Sequence, residues 1–172
     1  MRGFQLWINL PAKEKMKPAG YRDIGPEEIP VHDLAGGGQV KVIAGHLQTG
    51  TVSLAGPIHG LSTEPLYLDV LLPAHARFSQ RMTPGHNAMA YVFEGSLQLA
   101  GDQTRLETHS AAILTDGDYV EFEAGSDGAR FLLLSGRPLH EPIVQYGPFV
   151  MNTVAEIEQA IHDYQTGRLT EA

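Results

Sequence analysis

Eight histidines and no cysteine bound the chemistry open to this chain. Without a thiol there is no thiolate metal ligand, no cysteine nucleophile and no disulfide. Metal or acid–base chemistry would rest on imidazoles and carboxylates. The stretch best suited to it is Arg81–Gly95, RMTPGHNAMAYVFEG, where His86 precedes an alternating run, Met89–Phe93, that ends at a Glu94-Gly95 turn signal. A small barrel often places its chemistry at such a strand, with side chains pointing into the mouth. The other histidines are His32, His46, His59, His75, His109, His140 and His162. None forms H-x-H or H-x-x-x-H, and each reads as a loop or surface residue unless the fold joins a pair. No G-x-S-x-G marks a nucleophile elbow. Gly36-Gly37-Gly38 lacks a following Lys-Ser/Thr and reads as a flexible turn, not a phosphate loop. Glu121 and Glu123 share a strand face beside Tyr119, where a solvated face outweighs an acid–base pair.

The 172 residues suit one domain, or one domain with an appendage, and can bury a core without disulfides. A formal charge of −8 repels phosphate backbones, so direct nucleic-acid binding is disfavoured. No apolar run is long enough to span a membrane. The N-terminal run alternates and has no apolar block with a small-residue cleavage site, so a soluble cytoplasmic protein is expected. The 19 glycines and 11 prolines predict many turns and an all-β architecture.

The elements that must position any site follow from periodicity. Phe4, Leu6, Ile8 and Leu10 alternate along FQLWINL, which predicts a strand ending at Pro11, with Trp7 on its other face. Strands are predicted at Gln39–Ala44, Thr51–Leu54, Leu66–Leu72, Ala111–Leu114, Tyr119–Glu123 and Arg130–Leu134. Ala88–Phe93 and Ser96–Ala100 read as a hairpin around Glu94-Gly95, followed by a turn at Gly101-Asp102, and Gly125–Gly128 reads as another turn. Near the C-terminus, Thr153 and Glu156 have capping-box spacing. Val154, Ile157, Ile161 and Tyr164 form an apolar stripe, and Gly167 is a helix stop.

The signature Ala88–Gly95 followed by Asp116-Gly117-Asp118 resembles a cupin barrel. Two longer blocks, GFQLWINLPAKEKM at Gly3–Met16 and RPLHEPIVQYGPFVMNT at Arg137–Thr153, are similar to pirins, the bicupin family. The resemblance runs through nearly the whole chain. It implies a cupin-type β-barrel, a double-stranded β-helix or jelly roll, with a C-terminal α-helix. It also implies three segments: 1–22 as a strand and linker left from an N-terminal cupin, 23–65 as an extended connection with short strands, and 66–172 as a degenerate C-terminal cupin barrel plus helix. In pirins the iron belongs to the N-terminal barrel, and its ligand motifs lie upstream of the GFQLW block, so no cofactor is expected in this chain.

A catalytic cupin places His-x-His and then Glu ahead of its Gly turn. Anchored on Gly95, those ligand positions fall on Arg81, Thr83 and Asn87, and no histidine stands near Gly125–Ala129 to supply the fourth. His86 adjoins Asn87, and strand alternation forbids both from entering the mouth. A satisfied or exposed His86 outweighs a ligand. The resemblance thus implies a non-catalytic structural or protein-interaction module. Its partner would be another copy or a separately encoded pirin N-terminal half, docked on Phe4, Leu6, Trp7, Ile8 and Leu10. Two further readings follow from the family. The chain could be part of an iron-dependent quercetin 2,3-dioxygenase-like assembly whose metal barrel comes from another chain. Or it could be a transcriptional or metabolic co-regulator acting through protein contacts.

Overall fold

Alternation of apolar and polar residues makes strand the commonest regular structure of the chain. The structure, a computed structural model, describes residues 3–101 and 104–169. The expected Gly101-Asp102 turn therefore lies partly outside the described residues, as do the outer ends of the 1–22 and 66–172 segments. Strands run at β1 (Val31–Asp33), β2 (Gln39–Ala44), β3 (His46–Thr49), β4 (Val52–Ala55), β5 (Leu66–Leu72) and β6 (Arg77–Arg81). They continue at β7 (Asn87–Leu99), β8 (Arg105–Glu107), β9 (Ala111–Leu114), β10 (Tyr119–Gly136), β11 (Val144–Tyr146) and β12 (Phe149–Met151). The helix is α1 (Val154–Gln165). β2, β5 and β9 have the bounds that alternation predicts.

The main sheet is antiparallel in the order β1-β2-β5-β10-β7-β8, with β6 also on β10 and β9 also on β7. β3 and β4 form their own hairpin. The sheets do not close on themselves, which suits the expected jelly-roll form of a cupin. Phe78, Phe122 and Phe131 fill its centre, each at most 2% exposed. Phe131 stands 5.1 Å from Phe122 and 6.2 Å from Phe78, with both pairs tilted. Such tilted pairs suit the ring quadrupoles and add to the area they bury.

Two expected turns are bulges in continuous strands. β7 runs straight through Glu94-Gly95, and β10 runs through Gly125–Gly128. The two strands pair with each other, and the register shifts between Ala124 and Ala129. Gly95 (φ 67°) and Gly128 (φ 78°) lie together at the shift, and a Cβ on Gly95 would run into the Gly128 carbonyl oxygen. Glycine here permits a bend and a close backbone approach, not a chain reversal.

The expected strand at residues 4–10 does not form. Alternation gives a strand its faces, but only a neighbour's N–H and C=O groups make it a strand, and no described strand pairs with this run. Segment 23–65 is more than a connection. β2 belongs to the main sheet, and Val40, Val42 and Leu47 lie in the core at 0% exposure.

By compactness the chain divides into residues 24–138 and a unit made of 1–23 with 139–172. The first holds β1–β10 and the core. In the second, α1 packs on the β11–β12 hairpin, with Tyr164 edge-on to Phe149 at 6.3 Å. The Thr153–Glu156 capping box is formed, and Ile157 and Ala160 are the buried helix positions, whereas Val154 and Tyr164 stay exposed. In the same unit Lys15 Nζ donates to Asn9 Oδ1 (2.6 Å) and to the Val150 carbonyl (2.8 Å).

Candidate functional site

A cavity of about 330 Å³ with both polar and apolar walls opens in the larger unit, and the chain reaches it from separate places in the sequence. β3 brings His46, the β4–β5 connection brings His59 and Glu64, β6 ends at Gln80 and Arg81, and the next loop adds Thr83 and His86. Glycine turns deliver the imidazoles. Gly45, Gly60 and Gly85 adopt φ values of 74°, 75° and 78°, beside His46, His59 and His86 respectively. These left-handed positions swing the chain where an L-residue would be strained.

His86 sits in a tight loop. Its N–H donates to the Thr83 carbonyl at 3.2 Å, and the Gly85 N–H donates to Asp116 Oδ1 at 2.7 Å. The side chain is only 9% exposed, and its Nε2 lies 3.6 Å from Glu64 Oε2. Glu64 is itself paired with the Arg137 guanidinium through Oε1. It holds a left-handed conformation (φ 45°), anchored by its N–H to the Leu61 carbonyl at 3.0 Å, and Arg137 N–H donates to the Thr63 carbonyl at 2.7 Å. A non-glycine residue kept in this region is held there by its surroundings.

Gln80 is 2% exposed and fully engaged. Its Oε1 accepts from Gln48 N–H at 2.9 Å, while Nε2 donates to the carbonyls of His46 (3.2 Å) and Arg81 (2.8 Å). One carboxamide thus ties β6 to β3 and fixes the backbone beneath two cavity side chains. A second cavity of about 100 Å³ shares Met82 and His86 with the first and extends to Leu114 and Val120.

Of the expected ligand positions, Arg81 and Thr83 line the cavity, whereas Asn87 opens β7 on an exposed position and does not. Alternation puts His86 in and Asn87 out. An arginine and a threonine at these places do not fit an iron site, because a guanidinium opposes a cation and offers it no lone pair. Among the described residues no three His, Asp or Glu side chains converge as a metal would require. Glu121 and Glu123 are ion-paired with Arg77, the closest contact being 2.8 Å to Glu123. His75, His109 and His140 occupy left-handed backbone positions in connections and are not among the cavity's lining residues. Of the proposed interface residues, Phe4, Leu6, Trp7 and Ile8 are 43–69% exposed, and Leu10 lines a groove within the smaller unit.

Sequence spacing does not find His46, His59, Glu64 or Gln80, because each comes from a different element. The one local trace is that each cavity histidine adjoins a glycine: Gly45-His46, His59-Gly60 and Gly85-His86.

A family model for the pirin C-terminal cupin domain matches residues 67–170. The chain belongs to the pirin family. It is 47% identical to a pirin-like protein of Caulobacter vibrioides and 38% identical to human pirin, matching 98% and 96% of this chain. It is 50% identical over 98% of its length to a Pseudomonas aeruginosa protein provisionally named a quercetin 2,3-dioxygenase. These alignments cover 59%, 56% and 59% of the respective relatives, so the chain spans under two thirds of their length. A crystal structure of quercetin 2,3-dioxygenase from Acinetobacter baumannii superposes with a TM-score of 0.81 at 36% identity, over 95% of this chain and 55% of that one. The mostly β architecture with one C-terminal helix is therefore the cupin sandwich of pirins.

Proposed function

We propose that this chain is the C-terminal cupin part of a pirin and works without a metal of its own, as a structural or protein-interaction module. The observation that carries this reading is the side-chain set at the cavity. Arg81 and Thr83 stand at ligand positions; of the three cavity imidazoles, His86 faces a glutamate already paired with Arg137, and His46 and His59 come from other elements. Exposed Phe4, Leu6, Trp7 and Ile8 favour association, because clustered apolar side chains on a surface gain by being covered. Iron analysis of the purified protein tests the reading. Iron well below stoichiometry is expected; a stoichiometric amount that disappears in His86→Ala would overturn it.

The relatives' names favour a second reading at the level of an assembly. The chain would complete a quercetin 2,3-dioxygenase-like protein whose metal barrel another polypeptide supplies, and would contribute no ligand itself. Flavonol cleavage should then be absent from this chain alone and present when a pirin N-terminal cupin is added. A mixture that forms a complex yet stays inactive removes this reading.

A further inference from the structure

We propose that the cavity between β3 and β6 is a binding site for a small organic carboxylate. The inference deepens the metal-free reading of the cavity and rests on it.

The cavity's charges decide the sign of its ligand. Its one carboxylate, Glu64, is already engaged by Arg137 and faces His86. Its one guanidinium, Arg81, has no side-chain partner among the described residues. Of its three imidazoles, His59 Nδ1 is engaged by the Gly56 carbonyl at 3.3 Å and His86 Nε2 faces Glu64, whereas the His46 ring has no partner among the described residues and keeps an N–H for a ligand. The spare capacity is thus cationic and donor-rich, within a protein whose formal charge is −8. Long-range attraction for anions is therefore weak, and any anion held here is held by local contacts.

The geometry is fixed in advance. Gln80 spends both amide hydrogens on the backbone carbonyls of His46 and Arg81, so these two lining residues share one buried anchor. A site whose donors are already ordered loses less entropy when it binds. A guanidinium matches a carboxylate with two parallel N–H···O bonds.

The remaining wall says what else the ligand carries. Pro65, Leu66 and Met82 also line the cavity, and they suit a carbon skeleton better than a bare inorganic anion. The volume of about 330 Å³ falls at the small end of ligand pockets, where a metabolite-sized acid fits.

Calorimetric titration of the full chain with succinate, citrate and inorganic phosphate tests this, with iron measured on the same preparation. A carboxylate should bind, and Arg81→Gln should weaken it at least about tenfold, the worth of a charge-assisted contact. Arg77→Gln, on the same strand but paired with Glu121 and Glu123 outside the cavity, should leave it unchanged. Coincident thermal melts establish that Arg81→Gln is folded, and His46→Ala gives an independent second variant. Phosphate binding as tightly as the carboxylates would overturn the organic assignment. Absence of carboxylate binding, or binding that survives both variants, overturns the proposal while leaving the metal-free reading standing. Stoichiometric iron instead overturns that reading.

Discussion

At the scale of single residues, two kinds of position matter most: glycines that allow the bends, and the buried amide that ties two strands. Gly95→Ala places a Cβ against the Gly128 carbonyl at a left-handed φ. Urea unfolding should show a loss of about 2–3 kcal/mol, the upper part of the range for forced backbone strain. A loss under about 0.5 kcal/mol would mean that the bulge relaxes at no cost. Gln80→Leu keeps the volume but strips partners from Gln48 N–H and the carbonyls of His46 and Arg81. It should cost about 2–3 kcal/mol by the same measurement, since orphaned buried groups carry their desolvation penalty. At this scale the site was half legible. Arg81, Thr83 and Asn87 are marked by the cupin resemblance anchored on Gly95, and His86 by its place next to Asn87. His46, His59 and Glu64 are brought in by three-dimensional pairing, and their residue types carry no spacing to read.

At the scale of elements, strands bounded by proline or glycine and carrying plain alternation were readable from end to end. β2 and β5 are examples, because each buries one face in the same core. β7 and β10 were misread for a physical reason. A glycine in an apolar run suits a turn and a bulge equally, and only the residue opposite decides between them. Here that neighbour is another glycine-containing bulge on the strand alongside. The core that these strands enclose predicts its own sensitivity. Phe131→Ala, at 0% exposure between Phe78 and Phe122, should lose about 3–5 kcal/mol in chemical denaturation. α1 shows the opposite case, a local code that suffices. Glu156 is held below the usual carboxylate range, chiefly by the Thr153 hydroxyl, with the Asn152 and Thr153 N–H groups adding to it. A lowered value means that the folded chain favours the charged form. The contribution is therefore present above the ordinary glutamate range and is lost as pH falls through the lowered value. Wild type should be more stable than Glu156→Gln at neutral pH, and the gap should close on acidification; a gap that persists in acid contradicts the assignment.

At the scale of the whole molecule, the run at residues 4–10, which joins no described strand, and the share of its relatives that the chain spans bear on the same question of association. Trp7 is the sole tryptophan and is 69% exposed, so its fluorescence reports directly on that run. If the run is a docking surface, adding a pirin N-terminal cupin should shift the emission to shorter wavelength. Trp7→Ala should weaken the complex by about 2 kcal/mol or more, as a buried aromatic anchor does. An unshifted spectrum in a mixture that demonstrably associates would place the interface elsewhere. The alternation of residues 4–10 was legible, but its partner was not, because a pairing edge belongs to two segments at once. The long strand β10 has a consequence in time as well as in space. It is the shared neighbour of β5, β6 and β7, and its Arg130 reaches back to Asp69 across 61 residues of sequence. During synthesis β5 can pair with β2 and β7 with β8 and β9, but β6 and the link between these groups must wait until their common neighbour leaves the ribosome. The nascent chain therefore passes through a long interval in which it is a natural client for chaperones, and it completes its sheet in one late step.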